Sequence, residues 1–116
     1  MNKLLLHISD GLRRTVDPDS VYYLEAVSGD TLLRRRGSRP LKDIRQLGDL
    51  MPAWKRRGFV RIHRNHAINP DHVLEIRLRP NSQYWEVKLA PPVNRVLPVS
   101  RNYLKDLWSA FGQRQR

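Results

Sequence analysis

Between Phe59 and Asn69 the chain reads FVRIHRNHAIN, its densest run of chemically capable side chains. Phe59, Arg61 and His63 alternate with Val60, Ile62 and Arg64, which is the two-faced pattern of a strand. Asn65 and His66 leave that pattern, and Ala67-Ile68 restores it. A polar kink between two apolar strand pieces exposes Arg64 and Asn65. A guanidinium fork fits guanine O6 and N7, and an Asn amide fits adenine, so this pair suits a base edge. In an arbitrary protein the same residues would form a solvated turn. Here the surrounding charge favours the binding reading. Twenty-two Lys and Arg stand against eleven Asp and Glu, for a net charge of +11. Seventeen of the cations are Arg, whose planar fork pairs with phosphate as Lys cannot. A field of that size on a small chain meets polyanions, and nucleic acid is the default one. A second candidate lies in Leu97-Pro98-Val99-Ser100-Arg101-Asn102-Tyr103. This run passes from a strand into a helix start, where free N–H groups and the helix dipole attract phosphate. Arg101, with Asn102 beside it, sits at that start. The plainer reading is an ordinary helix cap.

Other chemistries fare worse. His63, His66 and His72 could in principle hold zinc. Positions three apart on a strand face opposite ways, and no carboxylate completes a set. No metal and no cofactor are expected, and His63 is expected to be a buried structural residue hydrogen-bonded to the backbone. Pro70-Asp71, followed by Glu86-Val87-Lys88, fits the loose PD-(D/E)xK nuclease pattern. There two carboxylates such as Asp71 and Glu86 hold Mg²⁺, and Lys88 helps activate water. The flanks lack the helices that such a core requires, so a pair on a hairpin is the simpler account. The chain has no Cys, which removes disulfides, thiolate zinc sites and Cys nucleophiles together. No glycine-rich phosphate loop or Ser-His-Asp set is recognisable, so the chain does not read as an enzyme. An RNA-binding β domain is the alternative binding module, with Tyr22 and Tyr84 as stacking surfaces, but no ribonucleoprotein signature supports it.

The elements that must position these residues are mostly strands. A chain of 116 residues with 40% hydrophobic content suits one domain. We expect it over residues 1–112, with a frayed basic tail at 113–116. Short strands are expected at 3–8, 12–16, 21–27, 31–36, 72–79, 84–89 and 93–98, besides the strand pieces around Arg64. In the pair 72–79 and 84–89, Trp85, Val87 and Leu89 share the inward face. Leu41, Ile44, Leu47, Leu50 and Met51 fall at helical spacing, predicting a helix over 41–50 stopped before Pro52. A second helix is predicted over 100–111, capped by Ser100, with Leu104, Leu107, Trp108 and Phe111 inward and Gly112 at its end. Neither suits a recognition helix. The first carries only Lys42 and Arg45, and the second spends its apolar face on the core. The cations sit in turns and strands, so DNA would be read from loops and strand ends. The longest apolar runs are three or four residues, too short for a bilayer. Asn2, Lys3 and His7 interrupt the start too often for a signal peptide. A cytoplasmic location is expected.

Three blocks, in order, resemble the LytTR-type DNA-binding domain of bacterial transcription regulators. They are Val21-Tyr22-Tyr23-Leu24-Glu25-Ala26, then Phe59 to Arg64 with Ile68-Asn69, then Leu97 to Tyr103. The resemblance spans about residues 3–111. It implies an elongated, mostly β fold of short, mainly antiparallel strands with two short helices. It implies that three loops enter successive grooves, through Asp30 or Thr31, then Arg64, then Arg101, and that His63 and Asn69 are structural. Asn65, His66 and Pro70 depart from the family pattern. The full set of expected DNA-binding residues is Arg64, Arg101, Asn65, Thr31, Asp30, Arg61 and Asn102. Expected partners are double-stranded DNA and, on repeated half-sites, a second copy of the chain. No membrane contact is expected. Family members often carry a receiver or sensor in front, and none is read within this chain.

Overall fold

Strand β3 (Val21–Val27) is the spine of the molecule, and its sequence says why. Val21, Tyr22, Tyr23 and Leu24 are all buried, so the strand has neighbours on both faces. A computed structural model describes residues 2–112; the expected tail at 113–116 lies outside the described residues. β3 pairs on one side with β4 (Asp30–Arg35), which pairs with β5 (Leu41–Asp43). On its other side lie β7 (His66–Ile68) and then β6 (Val60–His63). The sheet order is β5-β4-β3-β7-β6, and every pairing is antiparallel.

Each face of this sheet carries its own core. On one face Leu24, Leu33 and Ala67 meet Leu6 and Val16 from the hairpin of β1 (Leu4–Ser9) and β2 (Leu12–Val16). Helix α1 (Leu47–Lys55) closes that core with Leu47, Leu50 and Trp54. On the opposite face Tyr23, Ile62 and Ile68 meet a second sheet of order β10-β9-β8. Its strands are β8 (Val73–Leu78), β9 (Trp85–Leu89) and β10 (Val96–Pro98), and α2 (Leu104–Ala110) adds Leu107. Stacking these layers along one direction draws the molecule out to 47 × 30 × 26 Å. The mostly β, antiparallel, elongated fold is therefore as the sequence implied. No helix among the described residues is long and apolar enough to cross a membrane.

The first helix is displaced from its expected place. Residues 41–43 are strand, with Leu41 and Asp43 buried and Lys42 exposed, an alternation of period two. The helix begins at Leu47 and runs through Pro52. Proline there lacks an N–H donor, which ordinarily opposes a helix interior. Burial of Leu50 on one side of it and Trp54 on the other overrides that cost, and the Trp54 ring meets Phe59 edge-on at 4.8 Å. The second helix also starts differently. Residues Arg101–Tyr103 form one 3-10 turn before α2, and the Ser100 side chain makes no cap hydrogen bond. The strand expected at 93–98 is confined to Val96–Pro98.

Candidate nucleic-acid interface

Three short connections converge on one edge. The first joins β3 to β4 through Ser28 and Gly29 alone, both at positive φ (51° and 88°), with Val27 facing Asp30. Such two-residue turns match the strand twist, and glycine takes that conformation without strain. The second joins β6 to β7 through Arg64 and Asn65, with His63 facing His66. The two are tied together, since the Ala26 N–H donates to the Asn65 carbonyl at 2.8 Å. The third is the 3-10 turn at Arg101. It is tied to the second by the Ser100 N–H, which donates to the Ile62 carbonyl at 2.8 Å. Arg64, Asn65, Arg101 and Asn102 are exposed. None of the four side chains has a hydrogen bond or ion pair among the described residues, so their donors face outward.

Arg61, also expected among the DNA-binding residues, supports the turns themselves. It is half-buried, and its Nη2 donates to the Arg64 carbonyl at 2.6 Å. Its Nε donates to the His63 carbonyl at 3.4 Å, and its guanidinium lies 5.9 Å from the centre of the Tyr103 ring. One side chain thus braces the Arg64 turn from beneath and touches the residue that ends the 3-10 turn. The His63 ring is half-buried and helps from the other side: its Nδ1 accepts from the Asn65 N–H at 3.1 Å. Asn69 is buried, donating to the Val21 carbonyl at 3.2 Å and accepting from the Asp71 N–H at 3.1 Å.

Thr31, expected among the DNA-binding residues, is fully buried, and its hydroxyl donates to the Arg45 carbonyl at 2.9 Å. β4 has a neighbour strand on each side, which encloses a residue that sequence alone places near a turn. Asp30 stays accessible and pairs with Lys42 at 3.6 Å, so its charge is offset by a local cation. Asp30, Arg61, Arg64 and Asn65 line one notch of about 260 Å³ together with Gln46, Leu47 and Gly48. The last three form the start of α1, which no side chain caps. Sequence reading missed them because it began the helix at residue 41.

The family model described as LytTr DNA-binding domain matches residues 13–112. The chain belongs to the LytTR DNA-binding domain family. That family is a DNA-binding family and not an enzyme family. No curated protein matches the chain. Among solved structures, a LytTr DNA-binding domain from Bacillus cereus superposes with a TM-score of 0.73 at 21% identity. The match covers 97% of this chain and 98% of that one, whose parent protein is described as a methyl-accepting/DNA response regulator. At that identity the likeness speaks for the fold.

Behind the exposed edge, the LytTR domain carries a polar chain that the sequence did not announce. The His66 Nε2 bonds Glu25 Oε2 at 2.9 Å, and Arg95 grips both Glu25 oxygens at 3.1 and 2.8 Å. Arg95 also donates to the Tyr23 hydroxyl at 2.6 Å. Burial lowers the His66 pKa, against the pull of Glu25. The neutral ring fits this site: Nε2–H donates to Glu25, and Nδ1 is buried with no partner among the described residues. A proton on Nδ1 would be a buried donor without an acceptor. Burial raises the Glu25 carboxyl, but the hydrogen bonds from Arg95 and His66 outweigh it and hold the pKa below the usual value.

Two residues of the rival readings, Glu86 and Tyr22, are engaged elsewhere. Glu86 accepts from Arg77 Nε at 3.1 Å across the β8–β9 hairpin. Tyr22 is buried against the His72 ring at 4.4 Å, which leaves Tyr84 as the exposed member of the stacking pair.

Proposed function

We propose that the LytTR domain binds double-stranded DNA sequence-specifically and controls transcription, reading the duplex from its turns. The observation that carries this reading is the row of outward-facing donors at Arg64, Asn65, Arg101 and Asn102, on turns tied to one another by backbone hydrogen bonds. Both helices bury their apolar faces, so neither is a free recognition helix. Arg64 and Arg101 take base edges or the phosphates beside them, with Asn65 and Asn102 adding amide contacts. Arg61 acts as a positioning residue for both turns. Thr31 has no part in contact, and Asp30 sets the rim of the notch. The uncapped start of α1 offers N–H groups to a phosphate next to Arg64. The long dimension of the domain, 47 Å, exceeds one turn of duplex, about 34–36 Å.

Residues 1–112 act as one domain in this reading, in the cytoplasm where bacterial DNA lies. A second copy on a repeated half-site would extend the recognised sequence. The description of the Bacillus cereus protein as a response regulator supports a regulatory role. Selection of bound sequences from a random duplex pool tests the whole reading. An enriched site bound far above scrambled duplex is expected, with affinity falling at about −0.9 per neutralised phosphate in log–log salt plots. Absence of enrichment, or a flat salt response, overturns it.

A further inference from the structure

One concavity of the domain lies away from the DNA-facing edge. It is an open cleft of about 700 Å³ at the far end of the β3–β4 hairpin from the Ser28-Gly29 turn. Tyr23 to Ser28 is five residues, or about 17 Å of strand. Four arginines line it, Arg34, Arg35, Arg39 and Arg95, with no carboxylate in the lining. Like charges that line one cleft repel one another unless an anion joins them. Glu25 answers only Arg95, and it does so from the side. Arg34 and Arg39 are exposed and carry no ion pair among the described residues. Arg35 spends one Nη2 proton on the Arg39 carbonyl at 3.2 Å, while its Nε is buried with no acceptor among the described residues.

We propose that this cleft binds a small polyanion, carrying phosphoryl groups or clustered carboxylates, at a site separate from the DNA-facing edge. Guanidinium forks bind both kinds of oxyanion in bidentate fashion. The volume falls in the range of small-molecule sites, roughly 300–1,000 Å³. The presence of four arginines in one lining distinguishes this site from the general positive field of the chain.

The test titrates the full chain at low salt with sodium pyrophosphate and, separately, with citrate, followed by calorimetry. At least one gives saturable binding with one site per chain. Pyrophosphate alone marks a phosphorylated ligand, citrate alone a carboxylate ligand, and both together mark the shared oxyanion chemistry. Arg34→Gln combined with Arg39→Gln weakens binding by at least about tenfold, the loss of charge-assisted hydrogen bonds. The charge-matched control Lys3→Gln with Arg14→Gln, on the exposed β1–β2 side, weakens it less than about twofold. Circular dichroism checks folding, and Arg39→Gln alone replaces the double variant if that one unfolds. The preference for operator over scrambled duplex stays unchanged in the cleft variant, so failure here and failure of the DNA reading are separate results. Equal losses in cleft and control variants, absence of saturable binding, or a parallel loss of DNA affinity would each overturn the proposal.

Discussion

Two groups of arginines in this domain do opposite things, although their sequence surroundings look alike. Arg45 and Arg95 are pinned. Arg45 holds Asp43 through Nε at 3.0 Å and Nη2 at 2.8 Å, and Arg95 holds Glu25. Arg64 and Arg101 project from turns with no acidic partner among the described residues. The difference is one of neighbours across the fold. A guanidinium that reaches a buried carboxylate is spent on the scaffold, and one that reaches only solvent keeps its donors for an external anion. In the proposed reading the free cations serve association, while the pinned ones serve the fold.

The pinned side of the comparison breaks most severely at Asp43. Its carboxylate is fully buried and also accepts the His7 and Arg45 N–H groups at 3.0 and 2.9 Å. Asp43→Ala strands both backbone donors and frees Arg45, and should cost about 3 kcal/mol in denaturant titration. Burial raises the Asp43 pKa, but the hydrogen bonds from Arg45 and His7 outweigh burial and bring it below 3.8. A carboxylate held lower in the folded than in the unfolded state adds stability that is present above the unfolded pKa. That stability is lost as the pH falls through the folded pKa. Asp43→Asn should therefore flatten the stability profile below about pH 4. An unchanged acid limb would show that the Asp43–Arg45 pair is not holding the scaffold.

The free side breaks in binding and leaves folding intact. Arg64→Ala and Arg101→Ala should each weaken operator binding about ten- to a hundredfold, the ~1–3 kcal/mol of a well-placed Arg–base contact. Each should relax preference at its own base pair while circular dichroism stays unchanged. If the ratio of operator to scrambled affinity is unaltered in both, direct readout at these residues is wrong, and specificity must come from duplex deformability. Arg61→Ala sharpens the contrast, because it removes a brace and no outward donor. It should weaken operator binding through both turns at once, without moving preference at any single base pair.

Why some of this was legible and some was not follows from sequence distance. Hairpins and tight turns are written within a few residues, so β6–β7 and its exposed Arg64-Asn65 could be read directly. Trp85, Val87 and Leu89 were placed inward, and Val87 and Leu89 are fully buried while Trp85 meets Trp108 edge-on at 4.9 Å. The helix at 41–50 failed because Leu41, Ile44 and Leu47 satisfy a helical period by coincidence. Ile44 is exposed, and Leu41 follows the period of a strand beside β4. Leu74 and Leu78 are exposed, with an irregularity in pairing between Val73 and Glu75. The Glu25–His66 and Glu25–Arg95 contacts join residues 41 and 70 positions apart, which no local pattern records.

A subtler break tests that long-range chain. His66 is held neutral by burial, with its folded pKa below 6.5. Because the folded value lies below the unfolded one, the stability it contributes is present above about pH 6.5 and declines as the pH falls toward the folded pKa. Imidazole resonances followed by NMR should show His66 keeping its Nε2–H tautomer to lower pH than an unperturbed histidine. A His66 that titrates at or above 6.5 would mean that the Glu25 carboxylate, and not burial, governs the ring, and that the Arg95 grip on Glu25 is loose.

The smallest expected effect separates free arginines that read sequence from those that only meet charge. Arg56 follows the end of α1, is exposed, and makes no side-chain bond among the described residues. It resembles Arg64 in exposure but differs in mounting. Arg64 sits on a two-residue turn fixed by Arg61, His63 and Ala26, whereas Arg56 has a long side chain free to follow a phosphate. A mobile cation gains little from any particular base, since ordering it costs about 2 kcal/mol of rotamer entropy. Arg56→Ala should therefore weaken operator and scrambled duplex by the same small factor and make the log–log salt slope shallower by about one unit. A change in the operator-to-scrambled ratio would place Arg56 among the readers. It would also show that exposure together with charge, without a braced turn, is enough to discriminate bases.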